Sequence, residues 1–113
     1  MTNYEKWDII LVPFPFTDFK TTKKRPALVV SPTRYNTGTD LIIAFMTSNV
    51  NSLERMGDYH IKEWQAAHLP KPSMIRMKFA TIDKNIIIKK LGRLANADMT
   101  GFSKILIDFF SQD

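Results

Sequence analysis

The apolar positions of this chain fall in short runs separated by polar, proline- and glycine-bearing stretches. Residues 8–12 (DIILV) are rich in β-branched side chains and stop at Pro13, the pattern of a buried strand. Residues 17–24 are polar and basic without periodicity, so they read as a loop. A second strand is predicted over 26–31 (PALVVS), stopped by Pro32, and a third over 40–47 (DLIIAFMT). Between them, 33–39 carry turn chemistry, with Asn36 and Gly38 offered for positive φ. Residues 49–55 form a polar loop, and Gly57 opens a short extended piece reaching Ile61. Residues 63–68 (EWQAAH) suit one helical turn before Pro70 and Pro72 break it. Alternation then sets in from Met74 to Ile82, a period-two strand. Asp83, Lys84 and Asn85 make a turn, and 86–91 return as a strand, so the two runs predict a hairpin.

At the C-terminus the period changes. Met99, Phe102, Ile105, Leu106 and Phe109 recur at helical spacing, with Asn96 as the expected N-cap and Asp98 suited to the first turn. Gly101 lies inside that helix, where it costs about 1 kcal/mol relative to Ala. The fold class is therefore mainly β with a C-terminal α-helix packed over a sheet. Many short strands in one small domain suggest a partly open barrel, and periodicity does not choose between SH3-like and OB-like forms. The 113 residues read as a single domain, 1–113, without repeat or linker.

Composition narrows the partners. There is no cysteine, which removes disulfides and thiolate metal sites. The first sixteen residues do not read as a signal peptide: their apolar stretch is broken by Pro13 and Pro15 and preceded by Glu5 and Asp8. No run approaches a membrane span, so a cytoplasmic protein without membrane partners is expected. Sixteen Lys and Arg against eleven Asp and Glu give a net charge of +5. Such a balance fits a polyanion or a merely solvated basic surface. Clustering favours nucleic acid: Lys20, Lys23, Lys24 and Arg25 share one short segment, and Arg76 and Lys78 alternate with apolar residues. Phe14, Phe16 and Phe19 flank the basic loop, the mixture of charge and stacking surface that single-stranded nucleic acid uses.

The candidate chemistry is correspondingly simple. His60 and His68 stand eight apart without a metal-binding pattern, so no metal is expected. Phosphate-binding glycine loops are absent, so no nucleotide cofactor is expected. Arg25 precedes Pro26, which biases it toward an extended conformation and gives its planar fork a defined direction toward phosphate oxygens. Thr47 and Ser48 close the third strand with two hydroxyls that can contact a phosphate or cap a turn. His60 is a general base by chemistry alone.

Taken in order, DIILVPFPFTD (8–18), KKRPALVVSP (23–32), YN (35–36), IIAFMTSN (42–49), EWQAAHLPKPSMIR (63–76) and TIDKNIIIKKLGRL (81–94) resemble the MazF/PemK family of toxins from type II toxin–antitoxin systems. The resemblance covers nearly the whole chain. It departs at two places: Trp7 and His68 stand where the family pattern commonly has glycine. It implies an SH3-like barrel of the type shared with CcdB-like toxins, a homodimer, and a cognate antitoxin partner. It further implies a metal-independent endoribonuclease that cuts single-stranded mRNA at short sequences through attack of the ribose 2′-hydroxyl. The family's catalytic Arg matches Arg25 and its catalytic Thr matches Thr47, with Ser48 beside it. Lys20, Lys23, Lys24, Phe19, Arg76 and Lys78 are then the expected RNA-binding residues. A non-catalytic CcdB-like toxin or an inert nucleic-acid-binding barrel are the competing readings.

Overall fold

Six antiparallel strands form one curled sheet in the computed structural model, which describes residues 3–14 and 23–113. The strands are β1 (Asp8–Pro13), β2 (Lys24–Val29), β3 (Asp40–Thr47), β4 (Tyr59–His60), β5 (Met74–Asp83) and β6 (Lys89–Arg93), followed by helix α1 (Asn96–Phe110). Their order across the sheet is β4-β5-β3-β2-β1-β6. Each central strand is apolar on both faces, and each face has its own core. Ile9, Leu28, Ala44 and Ile75 pack with Phe102 of the helix, while Ile10, Val12, Ala27, Val29, Leu41, Ile43 and Ile82 fill the opposite face. This two-sided burial is what a sheet rolled into a partly open barrel requires.

The expected hairpin of 74–82 with 86–91 does not form. β6 pairs with β1, through Asp8↔Arg93, Ile9↔Gly92, Ile10↔Lys90 and Leu11↔Lys89. β5 gives one edge to β3, from Asp40↔Asp83 to Thr47↔Met74, and its other edge to β4 at Ile75 and Met74 alone. After Asp83 a 3-10 turn (Lys84–Ile86) carries the chain across to the free edge of β1, where Ile88 N donates to Leu11 O at 2.9 Å. The isoleucine run read as a strand instead packs Ile86 and Ile87 on the second core. Lys90 and Arg93 are held at 3.2 and 3.1 Å from the buried carboxylate of Asp8.

Backbone geometry explains the two departures from the family pattern. Trp7 (φ 78°) and His68 (φ 62°) both adopt the left-handed conformation, which costs a residue with a Cβ and is free to glycine. The indole of Trp7 offsets that cost by packing edge-on against Phe102, with centroids 6.0 Å apart. Asn36 and Gly38 do not supply the positive φ expected of them. Asn36 is buried in a 3-10 turn (Tyr35–Thr37), where it accepts from the Ser31 hydroxyl and donates to Tyr4 O at 3.1 Å, and Gly38 has φ −80°.

The helix also starts differently from expectation. Ala95 is the N-cap, no side chain caps it, and Asn96 is already helical. Asp98 is fully buried and faces away from its own helix. Its carboxylate accepts from Tyr59 Oη at 2.6 Å and from the backbone amides of Lys62 and Glu63, both at 2.9 Å. Burial first, and then the Asp98 hydrogen bond, push the Tyr59 hydroxyl pKa well above the usual tyrosine range. Gly101 sits one turn away against the same ring: a Cβ there would lie 2.6 Å from Tyr59 Oη.

Candidate active site

The third and second strands bring Arg25 and Thr47 together. Their register runs Val29↔Ile43, Leu28↔Ala44, Ala27↔Phe45. Continued two residues, it sets Arg25 opposite Thr47 on the same face of the sheet. The ladder ends before that point because of Pro26. Even-numbered groups of β2 face β3, as Val30 N donating to Ile42 O at 2.9 Å shows, and proline has no N–H to donate. The strands part there into a cleft of about 200 Å³, lined by Lys24, Arg25, Thr47 and Ser48 on one side and by Lys71 and Ser73 on the other.

Arg25 and Thr47 each have a defined contact at the cleft. The Arg25 guanidinium lies over the Phe14 ring, 5.1 Å from its centroid, an arrangement that aims the fork without neutralising it. Thr47 Oγ1 accepts from Asn49 N at 3.1 Å. That bond makes Thr47 the turn cap that its position at a strand end suggested, and it leaves the hydroxyl proton available for donation into the cleft. Ser48 is exposed beside it. Arg25 and Lys24 are exposed, so the charge of this wall is open to solvent.

Lys71 and Ser73 were not singled out from the sequence. Their position depends on His68, whose left-handed backbone turns the 63–68 segment back toward the sheet, with Leu69 N donating to Trp64 O at 3.0 Å. Ser73 Oγ then donates to Lys71 O at 2.9 Å, and Ile61 N donates to Ser73 O at 3.0 Å. The available signal was a lysine flanked by two prolines in KPS, a rigid presentation of a cation. Gly92 supports this segment from below, because a Cβ there would stand 2.2 Å from Ala67 O.

The remaining expected RNA-binding residues divide. Lys23 and Lys24 are exposed at the entry to β2, and exposed Lys78 carries its Nζ 5.1 Å from the Phe45 ring centroid. Phe19 and Lys20, with most of the 17–24 loop, lie outside the described residues. Arg76 requires correction as a surface phosphate contact. Its side chain is 13% exposed, Nη2 donates to Ser52 Oγ at 2.7 Å, and it stands 3.8 Å from Asp58, whose side chain is fully buried. The guanidinium holds the loop before β4 rather than facing the cleft. His60 pairs with Glu54 at 3.4 Å, and His68 Nδ1 lies 3.3 Å from Leu91 O; neither lines the cleft. Among the described residues no group of three His, Cys, Asp or Glu side chains is placed to hold a metal. No helix of the described residues is long and apolar enough to cross a membrane.

Comparison with known proteins agrees with this fold. The family model described as PemK-like, MazF-like toxin of type II toxin–antitoxin system matches residues 5–110. A search of curated proteins gives no match. Among solved structures, an endoribonuclease in complex with its cognate antitoxin from a mycobacterial species superposes with TM-score 0.75 at 15% identity, covering 100% of this chain and 98% of that one. The Mycobacterium tuberculosis toxin MazF-mt6 gives TM-score 0.72 at 18% identity, with 94% and 98% covered. MazF from Deinococcus radiodurans gives 0.73 at 16% identity, with 99% and 100% covered. At these identities the structural likeness establishes the fold.

Proposed function

This chain belongs to the PemK-like, MazF-like toxin family of type II toxin–antitoxin systems, and from that premise we propose that it is a metal-independent endoribonuclease acting on single-stranded mRNA. The observation that supports the proposal is that Arg25 and Thr47 both line one basic cleft. RNA brings its own nucleophile. The 2′-oxygen forms a bond to the adjacent phosphorus, the bond from phosphorus to the 5′-oxygen breaks, and a proton passes from the 2′-hydroxyl to a base while another reaches the departing oxygen. The protein must hold the phosphate in line and stabilise charge on its non-bridging oxygens. Arg25 supplies a planar two-pronged donor, and Thr47 adds a hydroxyl already oriented by Asn49 N. Ser48 stands next to it as a second hydroxyl, and Lys71 faces the pair from the other wall. Guanidinium stays protonated, so Arg25 acts by charge stabilisation, neither taking the 2′ proton nor giving one to the departing oxygen.

The active assembly we propose is a homodimer. A groove of about 360 Å³ between sheet and helix is lined by Val30, Ile42, Phe79, Leu106 and Phe110 and is almost wholly apolar. Phe110 and nearby Ile107 are 64% and 67% exposed, an apolar surface that a second copy would cover. The antitoxin we propose is an acidic segment that folds over the basic cleft and competes with RNA, the complement of a net charge of +5. The test of function is direct: purified protein and a long RNA in EDTA. Discrete fragments ending in 2′,3′-cyclic phosphate and 5′-hydroxyl are expected. An intact RNA would return the protein to a binding role, and cutting that needs added metal would refute the metal-independent mechanism.

A further inference from the structure

The loop that follows β3 is held by a run of hydrogen bonds that starts at Arg76. The guanidinium Nη2 donates to Ser52 Oγ at 2.7 Å. That hydroxyl donates in turn to Asn49 O at 2.9 Å, and Ser52 N donates to the same oxygen at 3.2 Å. Val50 N, which shares a peptide group with Asn49 O, donates to Ser48 O at 3.0 Å. Asn49 N donates to Thr47 Oγ1 at 3.1 Å. The run therefore leads from a largely buried cation on β5 to the hydroxyl that lines the cleft.

The strand register puts Arg76 there. β3 and β5 slip against each other: Ala44 pairs with Phe79 and Met46 with Ile75. Residues 76–78 consequently bulge opposite Phe45, and such irregularities re-aim side chains. The bulge turns Arg76 toward Ser52. Asp58 closes the same loop from its far end, where Oδ2 accepts from Arg55 N at 2.8 Å and lies 3.8 Å from Arg76 Nη2. The pair is poorly built for stability alone. Arg76 Nη1 and Asp58 Oδ1 are buried without a hydrogen-bond partner among the described residues. Buried charges that are incompletely paired cost desolvation that an apolar pair would avoid. What they supply is one fixed loop conformation, and the loop begins at Thr47. The chemistry gives that conformation a use. A threonine hydroxyl has a single proton, and with Asn49 N donating to Oγ1 that proton is directed to an acceptor in the cleft. Stabilisation of charge in a transition state depends on donors oriented before the reaction begins.

We infer that Ser52 and Arg76 are positioning residues for the reaction. Arg76 fixes Ser52, Ser52 fixes the backbone at Asn49, and that backbone aims the Thr47 hydroxyl at the substrate phosphate. This rests on the reading of the protein as an RNA-cutting enzyme with Thr47 at its site. Arg76, expected from the sequence to grip RNA, then serves the reaction without touching it.

The test uses the full-length protein. Ser52 carries it, because Ser52→Ala breaks the run without stranding Asp58, as Arg76→Ala would. Amide exchange followed by NMR reads the geometry without RNA. The Asn49 amide should exchange about 5-fold faster in Ser52→Ala, the scale of one lost hydrogen bond, and Ser52→Thr, which keeps the hydroxyl, should restore the wild-type rate. Single-turnover cleavage of a mapped RNA in EDTA reads the consequence. Ser52→Ala should slow cutting about 5-fold and by no more than Thr47→Ala does. Its affinity for the same RNA, made uncleavable by one 2′-deoxynucleotide, should stay at the wild-type value. In a Thr47→Ala background, Ser52→Ala should slow cutting no further. A purely structural role predicts instead that the two losses multiply or that affinity falls with the rate, and either result overturns the proposal. Unchanged Asn49 exchange overturns it too, as does a Ser52→Ala protein that cuts at the wild-type rate while Thr47→Ala is slow. A wild type that leaves RNA intact, or a Thr47→Ala protein as fast as the wild type, refutes the underlying reading of the site, and the proposal falls with it.

Discussion

Gly101→Ala sets two effects against each other. Helix propensity alone favours alanine by about 1 kcal/mol in a helix interior. The structure predicts the opposite sign. A Cβ at position 101 would stand 2.6 Å from Tyr59 Oη, 2.9 Å from Cε1 and 3.0 Å from Cζ. Either the ring or the helix must retreat. Forcing a methyl into a packed core costs about 1–3 kcal/mol. A displaced ring also loses its 2.6 Å bond to Asp98, a hydrogen bond to a charged acceptor worth about 1.5–3 kcal/mol. After the propensity gain is subtracted, a net loss of about 1.5–5 kcal/mol remains. For a domain of this size that lowers Tm by roughly 6–20 °C. Thermal unfolding followed by circular dichroism measures it. Tyr59→Phe removes the nearest contact while leaving the two ring contacts, so Gly101→Ala should cost measurably less in that background. A Gly101→Ala protein as stable as the wild type or more so, with no coupling to Tyr59→Phe, would refute the reasoning.

Three further outcomes follow from named contacts. Because the Tyr59 hydroxyl pKa is raised on folding above the ordinary 10.0, its contribution is complete below pH 10 and is lost as pH rises above it, by up to about 1.4 kcal/mol per unit; urea midpoints across that range should fall less steeply in Tyr59→Phe. His68→Gly should raise stability by about 0.5–1 kcal/mol by relieving a left-handed residue, whereas Trp7→Gly should lower it because the indole packs on Phe102, and chemical denaturation separates the two signs. Arg76→Ala should destabilise by about 3 kcal/mol by stranding the buried Asp58 while leaving the salt dependence of RNA binding unchanged, and Lys78→Ala should reverse that pattern, lowering the salt slope by about one without a shift in Tm.

Strand existence was legible because each of the first three strands is a β-branched run closed by a proline or a polar turn, and β3 falls on the expected residues. The partner of β6 was not. Local alternation specifies a strand and leaves its neighbour open, and β6 found its partner in the edge of β1. Asp98 was legible as a first-turn acid but not as the anchor of Tyr59, because its partners lie more than thirty residues away. In the cleft, the proline neighbour of Arg25 and the strand-end position of Thr47 left both open to a bland reading, and the resemblance to the toxin family singled them out. Lys71 was not singled out, because its placement comes from the left-handed turn at His68, where a non-glycine residue hides the backbone requirement. Arg76 and Lys78 looked equivalent by alternation, and only the bulge opposite Phe45 separates a buried anchor from an exposed cation.

Whether Arg25 and Thr47 act together on one phosphate is measured by single-turnover cleavage of a mapped RNA in EDTA at saturating protein. Arg25→Ala should slow cutting by at least ~100-fold, the scale for removing one transition-state charge donor, and Arg25→Lys should restore little of that loss because an ammonium lacks the planar fork. Thr47→Ala should cost less but remain measurable, and Ser48→Ala less again. An Arg25→Ala protein that cuts at the wild-type rate would contradict the account.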